Sequence, residues 1–321
     1  MSIELDLAPG RRGGLRLAHP VLVAAGGGGL GAELLQAVGP SRPGALITRS
    51  LTRGPDRGHP PPRMTQRPDG LIHSVGTPNP GLEPTLRRQA PRWGASEVPV
   101  IVSICSGAAD EIAEMTRTLE LQPDVAGVEL NLACPDRRRG GEPLGLDVAA
   151  AETATVAARA ATDLPLIVKL TAVAPDVRPV ARAVVAAGAD VLSATAPLPA
   201  LVLDHDRRRA RLGTAYGGLS GPALKPVGLR VTYEMAQVVN VPVIGIGGIS
   251  TLDDVLDYLA AGASAVGVAT AALADPTLPG ALGRELEAWA GARGLGLSDV
   301  VGRALPARRD RGSLRSGSFR R

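Results

Sequence analysis

Eight short runs rich in Val, Ile, Leu and Ala punctuate the chain, at residues 21–25, 45–48, 98–104, 125–130, 165–170, 190–194, 241–246 and 263–269. Their apolar positions are consecutive instead of alternating, the pattern of strands covered on both faces. Between most of them apolar residues recur every three or four positions, which predicts helices at 30–38, 108–121, 148–161, 177–187, 224–239 and 251–261, with another at 278–292 after the last run. Strands alternating with helices predict a parallel sheet, and eight such units predict a closed (β/α)8 TIM barrel over an open doubly wound sheet. The Ala-Gly-Ala steps at 187–189 and 261–263 set Gly188 and Gly262 just past helix ends, where a residue without Cβ turns the chain most easily.

Two connections are too long for simple turns: the Pro- and Gly-rich insertion 50–97 after the second strand and 196–222 after the sixth. Both leave strand C-termini, the rim on which such barrels build active sites, so they read as walls or lids over a ligand. With 321 residues and 45% apolar content the chain can bury a large core. Only 2% of it is aromatic, so that core must be packed from Ala, Val, Leu and Ile. No internal repeat or linker divides residues 1–302, which form one domain. Residues 303–321 hold seven Arg against one Asp, a local +6 within a formal +4 that leaves the rest near −2. The basic character therefore belongs to a solvated, disordered C-terminal tail, or to a tail that contacts a partner, and nucleic acid is not an expected ligand.

Two cysteines, Cys105 and Cys134, are too few for a disulfide scaffold and lack the C-x-x-C spacing of metal or iron–sulfur sites. A reducing compartment follows, and with no signal-like opening and no apolar stretch long enough for a membrane span, a cytoplasmic location is expected.

Asn131-Leu132-Ala133-Cys134-Pro135 follows the fourth run directly and presents an amide and a thiol at one strand end. As a base poised a little above neutral pH, Cys134 suits removal of a carbon-bound proton, with arginines at 137–139 to stabilise its thiolate. The alternative is an inert buried thiol, the reading that fits Cys105. Lys169 ends the fifth run, where a buried ammonium needs an anionic partner. That partner is either a carboxylate such as Glu129 or a cofactor that gains negative charge, as the N1/C2=O edge of a reduced flavin does. Gly247 and Gly248 follow the seventh run and Ala269-Thr270 ends the eighth; barrel loops here commonly hold a phosphate on backbone N–H groups, although a glycine pair also simply makes a tight turn. His73 sits in the first insertion either exposed or facing a ligand, and with no second His or carboxylate at ligand spacing no metal site is expected.

The segments Glu129-Leu130-Asn131-Leu132-Ala133-Cys134-Pro135, Val168-Lys169-Leu170, Gly217-Gly218-Leu219-Ser220-Gly221-Pro222-Ala223-Leu224-Lys225-Pro226 and Gly245-Ile246-Gly247-Gly248-Ile249 together resemble the dihydroorotate dehydrogenase family, flavin-dependent barrels of pyrimidine biosynthesis, over about residues 18–275. The resemblance implies FMN, held by Ala25, Gly26, Arg49, Ser50, Ser103, Asn131, Lys169, Ser193, Gly221, Gly247, Gly248, Ala269 and Thr270. Lys169 would lie near its ring, and Gly247, Gly248 and Thr270 around its phosphate. Substrate contacts are implied for Arg49, His73, Ser74, Gly76, Asn131, Asp136 and Thr195. The family's soluble, class 1 members use a cysteine base, and Cys134 falls on that position; the membrane-bound branch uses serine and an N-terminal helix. The implied chemistry is proton abstraction by Cys134 with hydride transfer to flavin N5. Lacking iron–sulfur spacing, the chain would pass electrons to a small molecule or a separate electron-transfer subunit, and a homodimer is implied.

The chain departs from the family pattern mainly on the substrate side. Arg49 replaces Lys, His73 and Asp136 replace Asn, and Ala194 replaces the Asn before Thr195, while on the cofactor side Ala25 replaces Ser and Ala269 replaces Gly. An amide donates and accepts in one plane, as a pyrimidine edge requires; Ala194 does neither, and Asp136 would meet a substrate carboxylate with like charge. The leading expectation is oxidation of dihydroorotate or a related dihydropyrimidine. The alternatives are a flavin barrel acting on another reduced pyrimidine, of dihydropyrimidine or dihydrouridine type, and a catalytically silent flavin- or phosphate-binding partner subunit.

Overall fold

The computed structural model describes residues 3–136 and 139–306. The tail assigned to 303–321 therefore lies outside the described residues from 307 onward.

Eight parallel strands close into a barrel: β1 (Val21–Val23), β2 (Leu46–Ile47), β3 (Val100–Ile104), β4 (Gly127–Asn131), β5 (Leu166–Lys169), β6 (Val191–Ala194), β7 (Val243–Ile246) and β8 (Ala265–Val268). Each pairs with its neighbours in sequence, and β8 returns to β1 through Gly267 opposite Leu22. All eight apolar runs thus become barrel strands. Their outward side chains pack beneath the helices, while alternate positions such as Leu22, Ile47, Ile101, Ile167, Val191 and Ile244 fill the interior.

The helices are α1 (Ala32–Ala37), α2 (Leu82–Gly94), α3 (Ala109–Glu120), α4 (Val148–Arg159), α5 (Arg178–Ala186), α6 (Lys225–Val238), α7 (Leu252–Ala260), α8 (Thr270–Ala274) and α9 (Leu278–Gly291). At the start of α7 the Thr251 hydroxyl accepts from the Asp254 amide while the Asp254 carboxylate accepts from Thr251 N, so both ends of the first turn are satisfied. No helix among the described residues is long and apolar enough to cross a membrane.

The expectation of one insertion over 50–97 needs correction, because its last part is α2. The buried face of α2 reads Leu82, Thr85, Leu86, Gln89, Ala90 and Trp93, a helical spacing disguised by two polar members and by Pro91. What remains, with 196–222, forms an antiparallel sheet over the C-terminal rim. Its strand order is Leu198–Ala200, Gly217–Ser220, Gly70–His73 and Met64–Arg67, so the two long connections meet in one layer.

The opposite end is closed by the hairpin Leu5–Asp6 and Arg16–Leu17, which sends Leu7, Leu15 and Leu17 into the barrel's inner cluster. Arg11 and Arg159 hold Asp190 there at 2.6 and 2.7 Å. A cavity of about 530 Å³ lies at this end and is lined by none of the candidate site residues.

Candidate active site

Strand pleating decides which side chains meet near the C-terminal rim. Every second residue of β3 to β6 points inward, so Ser103, Glu129, Lys169 and Ser193 lie one layer above Ile101, Ile167 and Val191. The fully buried Glu129 carboxylate accepts from Ser103 Oγ at 2.9 Å and from Ser193 Oγ at 3.2 Å. Ser103 Oγ lies 2.9 Å from Ser50 Oγ, which accepts from Asn131 Nδ2 at 2.8 Å. Each hydroxyl has one proton, and Ser103 gives its own to Glu129, so Ser50 must donate to Ser103. The result is a directional chain from Asn131 to Glu129. Asn131 Oδ1 also accepts from Ala133 N at 3.1 Å, which fixes the amide plane at the rim.

Glu129 is thus committed to hydroxyl donors and does not serve as an ion-pair partner for Lys169. Only 5% exposed, Lys169 has no carboxylate in ion-pairing distance among the described residues. A buried ammonium with no carboxylate at ion-pairing distance suits an anionic cofactor edge. Its charge is felt at Cys134, half-buried three residues beyond β4. The Cys134 thiol is held below its ordinary pKa by a hydrogen bond with the Cys105 thiol, with Lys169 adding to the effect against burial and the charges of Asp56 and Asp136. Cys105 moves the other way, well above the usual thiol range, through the same bond, its burial and the carboxylates of Asp56 and Glu111. Cys105 thus lies near Cys134 at the same rim.

The ends of β7, β8 and β1 converge on a glycine cradle. Gly247 and Gly248 have φ of +135° and +68°. A Cβ at 248 would come within 2.8 Å of Lys225 N and 3.0 Å of the Gly221 carbonyl oxygen, so conformation and space both demand glycine. Among the described residues the Gly248 and Ile249 amides donate no hydrogen bond, which leaves N–H groups suited to an anion. Tyr258, fully buried on α7, braces the turn by donating to the Gly247 carbonyl at 2.8 Å. Lys225 is taken up by Asp254 and Asp257, at 2.5 and 2.7 Å. Thr270 Oγ1 donates to Ser220 Oγ at 2.9 Å, drawing the β8 end against the rim sheet, while Ala25 and Gly26 lead into Gly27, where a Cβ would sit 2.9 Å from Ala269 Cα.

The substrate-side candidates are spread over the rim sheet and its neighbours. His73 ends a sheet strand, and burial lowers its pKa, so the imidazole is neutral at neutral pH. Ser74 Oγ is occupied by His59 Nδ1 at 2.8 Å and by Thr214 Oγ1 at 2.6 Å, and Gly76 (φ +70°) packs against the Gly58 backbone. Arg49 donates to the Pro78 carbonyl at 3.2 Å; burial and the nearby Arg63 lower its pKa, but a guanidinium remains a cation there. Two side chains turn elsewhere. Thr195 Oγ1 accepts from Ala172 N at 2.9 Å, and the Asp136 carboxylate lies against Gly107, where a Cβ would meet it at 2.1 Å. Of the three arginines expected near Cys134, Arg139 pairs with Asp147 at 3.0 Å, and Arg137 and Arg138 lie outside the described residues. No cluster of potential metal ligands occurs among the described residues.

The sequence model of dihydroorotate dehydrogenase matches residues 12–289. This chain belongs to the dihydroorotate dehydrogenase family. Members of the family are flavin-dependent oxidoreductases acting on CH–CH groups. The chain is 41% identical over 292 residues to the dihydroorotate dehydrogenase B (NAD(+)) catalytic subunit of Desulforudis audaxviator, covering 91% of this chain and 95% of that protein. It is 38% identical over 303 residues to the protein of the same description from Trichlorobacter lovleyi, with 94% and 97% coverage, and 39% identical over 290 residues to that from Pelobacter propionicus, with 90% and 95%.

Proposed function

We propose that the chain is the FMN-carrying catalytic subunit of a dihydroorotate dehydrogenase. The observation that carries this reading is that Cys134, a thiol of depressed pKa, and Lys169, a buried ammonium with no carboxylate at ion-pairing distance among the described residues, stand at one barrel rim, in a chain that shares its family with curated catalytic subunits. Cys134 takes a proton from one ring carbon of dihydroorotate as the neighbouring carbon loses a hydride, so the C–C single bond becomes double. FMN, when bound, supplies the hydride acceptor at N5. Lys169 would support negative charge at its N1/C2=O edge, and Asn131, fixed by Ser50 and Ala133, would face both flavin and substrate.

The remaining FMN contacts would be Ala25, Gly26, Arg49, Ser50, Ser103, Ser193, Gly221, Gly247, Gly248, Ala269 and Thr270, with the Gly248 and Ile249 amides facing the phosphate. Arg49, His73, Ser74 and Gly76 would line the substrate side. Electrons would leave through a separate electron-transfer subunit toward NAD+, as the description of the relatives suggests.

The test is anaerobic mixing of FMN-loaded protein with dihydroorotate, followed by flavin absorbance. Bleaching that Cys134→Ala slows by about 10²–10⁴-fold is the expected result. A flavin unchanged at millimolar dihydroorotate would overturn the substrate assignment.

A further inference from the structure

Glu129 and Asn131 stand two residues apart on β4, so strand pleating turns both toward the barrel interior. A hydrogen-bonded circuit leaves the strand at Asn131 and returns to it at Glu129. Asn131 Nδ2 donates to Ser50 Oγ at 2.8 Å, Ser50 Oγ lies 2.9 Å from Ser103 Oγ, and Ser103 Oγ donates to Glu129 Oε1 at 2.9 Å. The backbone holds the two serines together. Leu51 N donates to the Ser103 carbonyl at 2.8 Å and Ser103 N donates to Thr48 Oγ1 at 3.1 Å, which clamps the segment after β2 onto β3 on both sides of Ser50. Glu129 is fully buried, and its other oxygen accepts from Ser193 Oγ at 3.2 Å.

A carboxylate accepts at both oxygens, whereas a neutral amide or hydroxyl in its place could equally donate. With an acceptor fixed at one end of the circuit, each proton in it points the same way: Ser103 toward Glu129, Ser50 toward Ser103 and Asn131 Nδ2 toward Ser50. Reversal would set a Ser50 proton against an Nδ2 proton. The amide is therefore held in one of its two possible orientations, the one that also lets Oδ1 accept from Ala133 N at 3.1 Å. We propose that Glu129 is a positioning residue: acting through Ser103 and Ser50, it orients the Asn131 amide so that the second Nδ2–H and the remaining lone pair of Oδ1 meet a ligand at fixed places. This rests on the reading that Asn131 faces FMN and substrate. The ligand chemistry that fits is a planar heterocycle edge on which an acceptor and a donor stand side by side.

The chain has three asparagines, Asn79, Asn131 and Asn240, so protein grown on isotope-labelled asparagine gives three side-chain amide pairs by NMR. Asn131→Asp identifies the pair of interest, and Asn240, which lines the cavity at the opposite end of the barrel, reports an intact fold. The native chain is compared with Glu129→Met, which removes both acceptor oxygens at similar length, with Ser103→Ala and with Ser103→Thr; spectra are taken on apoprotein, and FMN affinity is read by fluorescence quenching. In Glu129→Met and Ser103→Ala the bonded Nδ2 proton of Asn131 is expected to move toward the position of a solvated amide and to exchange with water about tenfold faster, and the FMN dissociation constant is expected to rise about 3- to 10-fold. Ser103→Thr keeps the hydroxyl and is expected to restore native values. An Asn131 pair with native position and exchange in Ser103→Ala overturns the proposal, as does the same result in Glu129→Met with the Asn240 pair unmoved. Where Glu129→Met does not fold, Ser103→Ala, which cuts the circuit and keeps the carboxylate, decides alone. If the native protein binds no FMN, the cofactor assignment fails, and the apoprotein spectra still decide whether Glu129 orients the amide.

Discussion

Tyr258 links the packing of the barrel to the glycine cradle through one hydroxyl. In Tyr258→Phe the ring still fills the space under β7 and α6, where Gly245 and Gly228 leave room that a Cβ would close to 2.3 and 2.1 Å of the tyrosine. What is lost is the 2.8 Å hydrogen bond to the Gly247 carbonyl. Burial raises the phenol's pKa, so the group is a neutral donor under all ordinary conditions. A buried acceptor stripped of its donor costs about 1–2 kcal/mol. For a chain of 321 residues that corresponds to a fall in Tm of about 1.5–3 °C. Because the carbonyl belongs to the turn whose amides would face the FMN phosphate, the same cost appears as a rise of about 5- to 30-fold in the FMN dissociation constant if the turn must be reordered on binding. Thermal unfolding of the apo and FMN-saturated forms, with a fluorescence-quenching titration of FMN, reads both quantities. Tyr216→Phe serves as the control: that side chain is 70% exposed, and its loss is expected to stay within about 0.5 kcal/mol. Native values of both Tm and FMN affinity in Tyr258→Phe would refute the idea that this hydroxyl braces the cradle.

Other substitutions separate the parts of the site. Cys134→Ala should retain bound FMN and slow its reduction by dihydroorotate by about 10²–10⁴-fold, read by anaerobic stopped-flow absorbance. Lys169→Met keeps the length of the side chain and removes its charge; the flavin midpoint potential should become more negative in a spectroelectrochemical titration, because the reduced form loses its cation. His19 and His73 are both held neutral by burial, their pKa values lowered from 6.5 in the folded chain. Below that value the unfolded state binds protons that the folded state refuses, so stability should fall as pH drops from about 6.5 toward the folded values, and His19→Gln should flatten that part of a urea-midpoint-against-pH curve.

The barrel was legible because its strands are buried on both sides and its interior is filled by aliphatic residues, which leaves eight unbroken apolar runs. Helix α2 was not, since Thr85 and Gln89 occupy its buried face and Pro91 falls inside it. The N-terminal hairpin was equally hidden, because strands of two residues have no period to detect. Cys134, Lys169 and Gly248 declared themselves by standing at strand ends. Glu129 was legible only as a possible partner for Lys169 and Ser193 only through the family resemblance; that Ser193 donates to Glu129 is visible only once the pleat is known. The neighbour relation of Cys105 and Cys134 depends on register across β3 and β4, information held in the pairing of strands and not in either segment.

The layer over the rim has a bearing on how this architecture can change. Strand Gly217–Ser220 lies between Leu198–Ala200 from its own connection and Gly70–His73 from the other, so each long connection supplies backbone partners that the other cannot replace. An engineer wishing to transplant a new specificity would have to exchange both segments as a matched set; a graft of either one alone would leave a raw edge of unpaired amides above the mouth. Variation in one connection is thereby tethered to variation in the other, however far apart they stand along the chain.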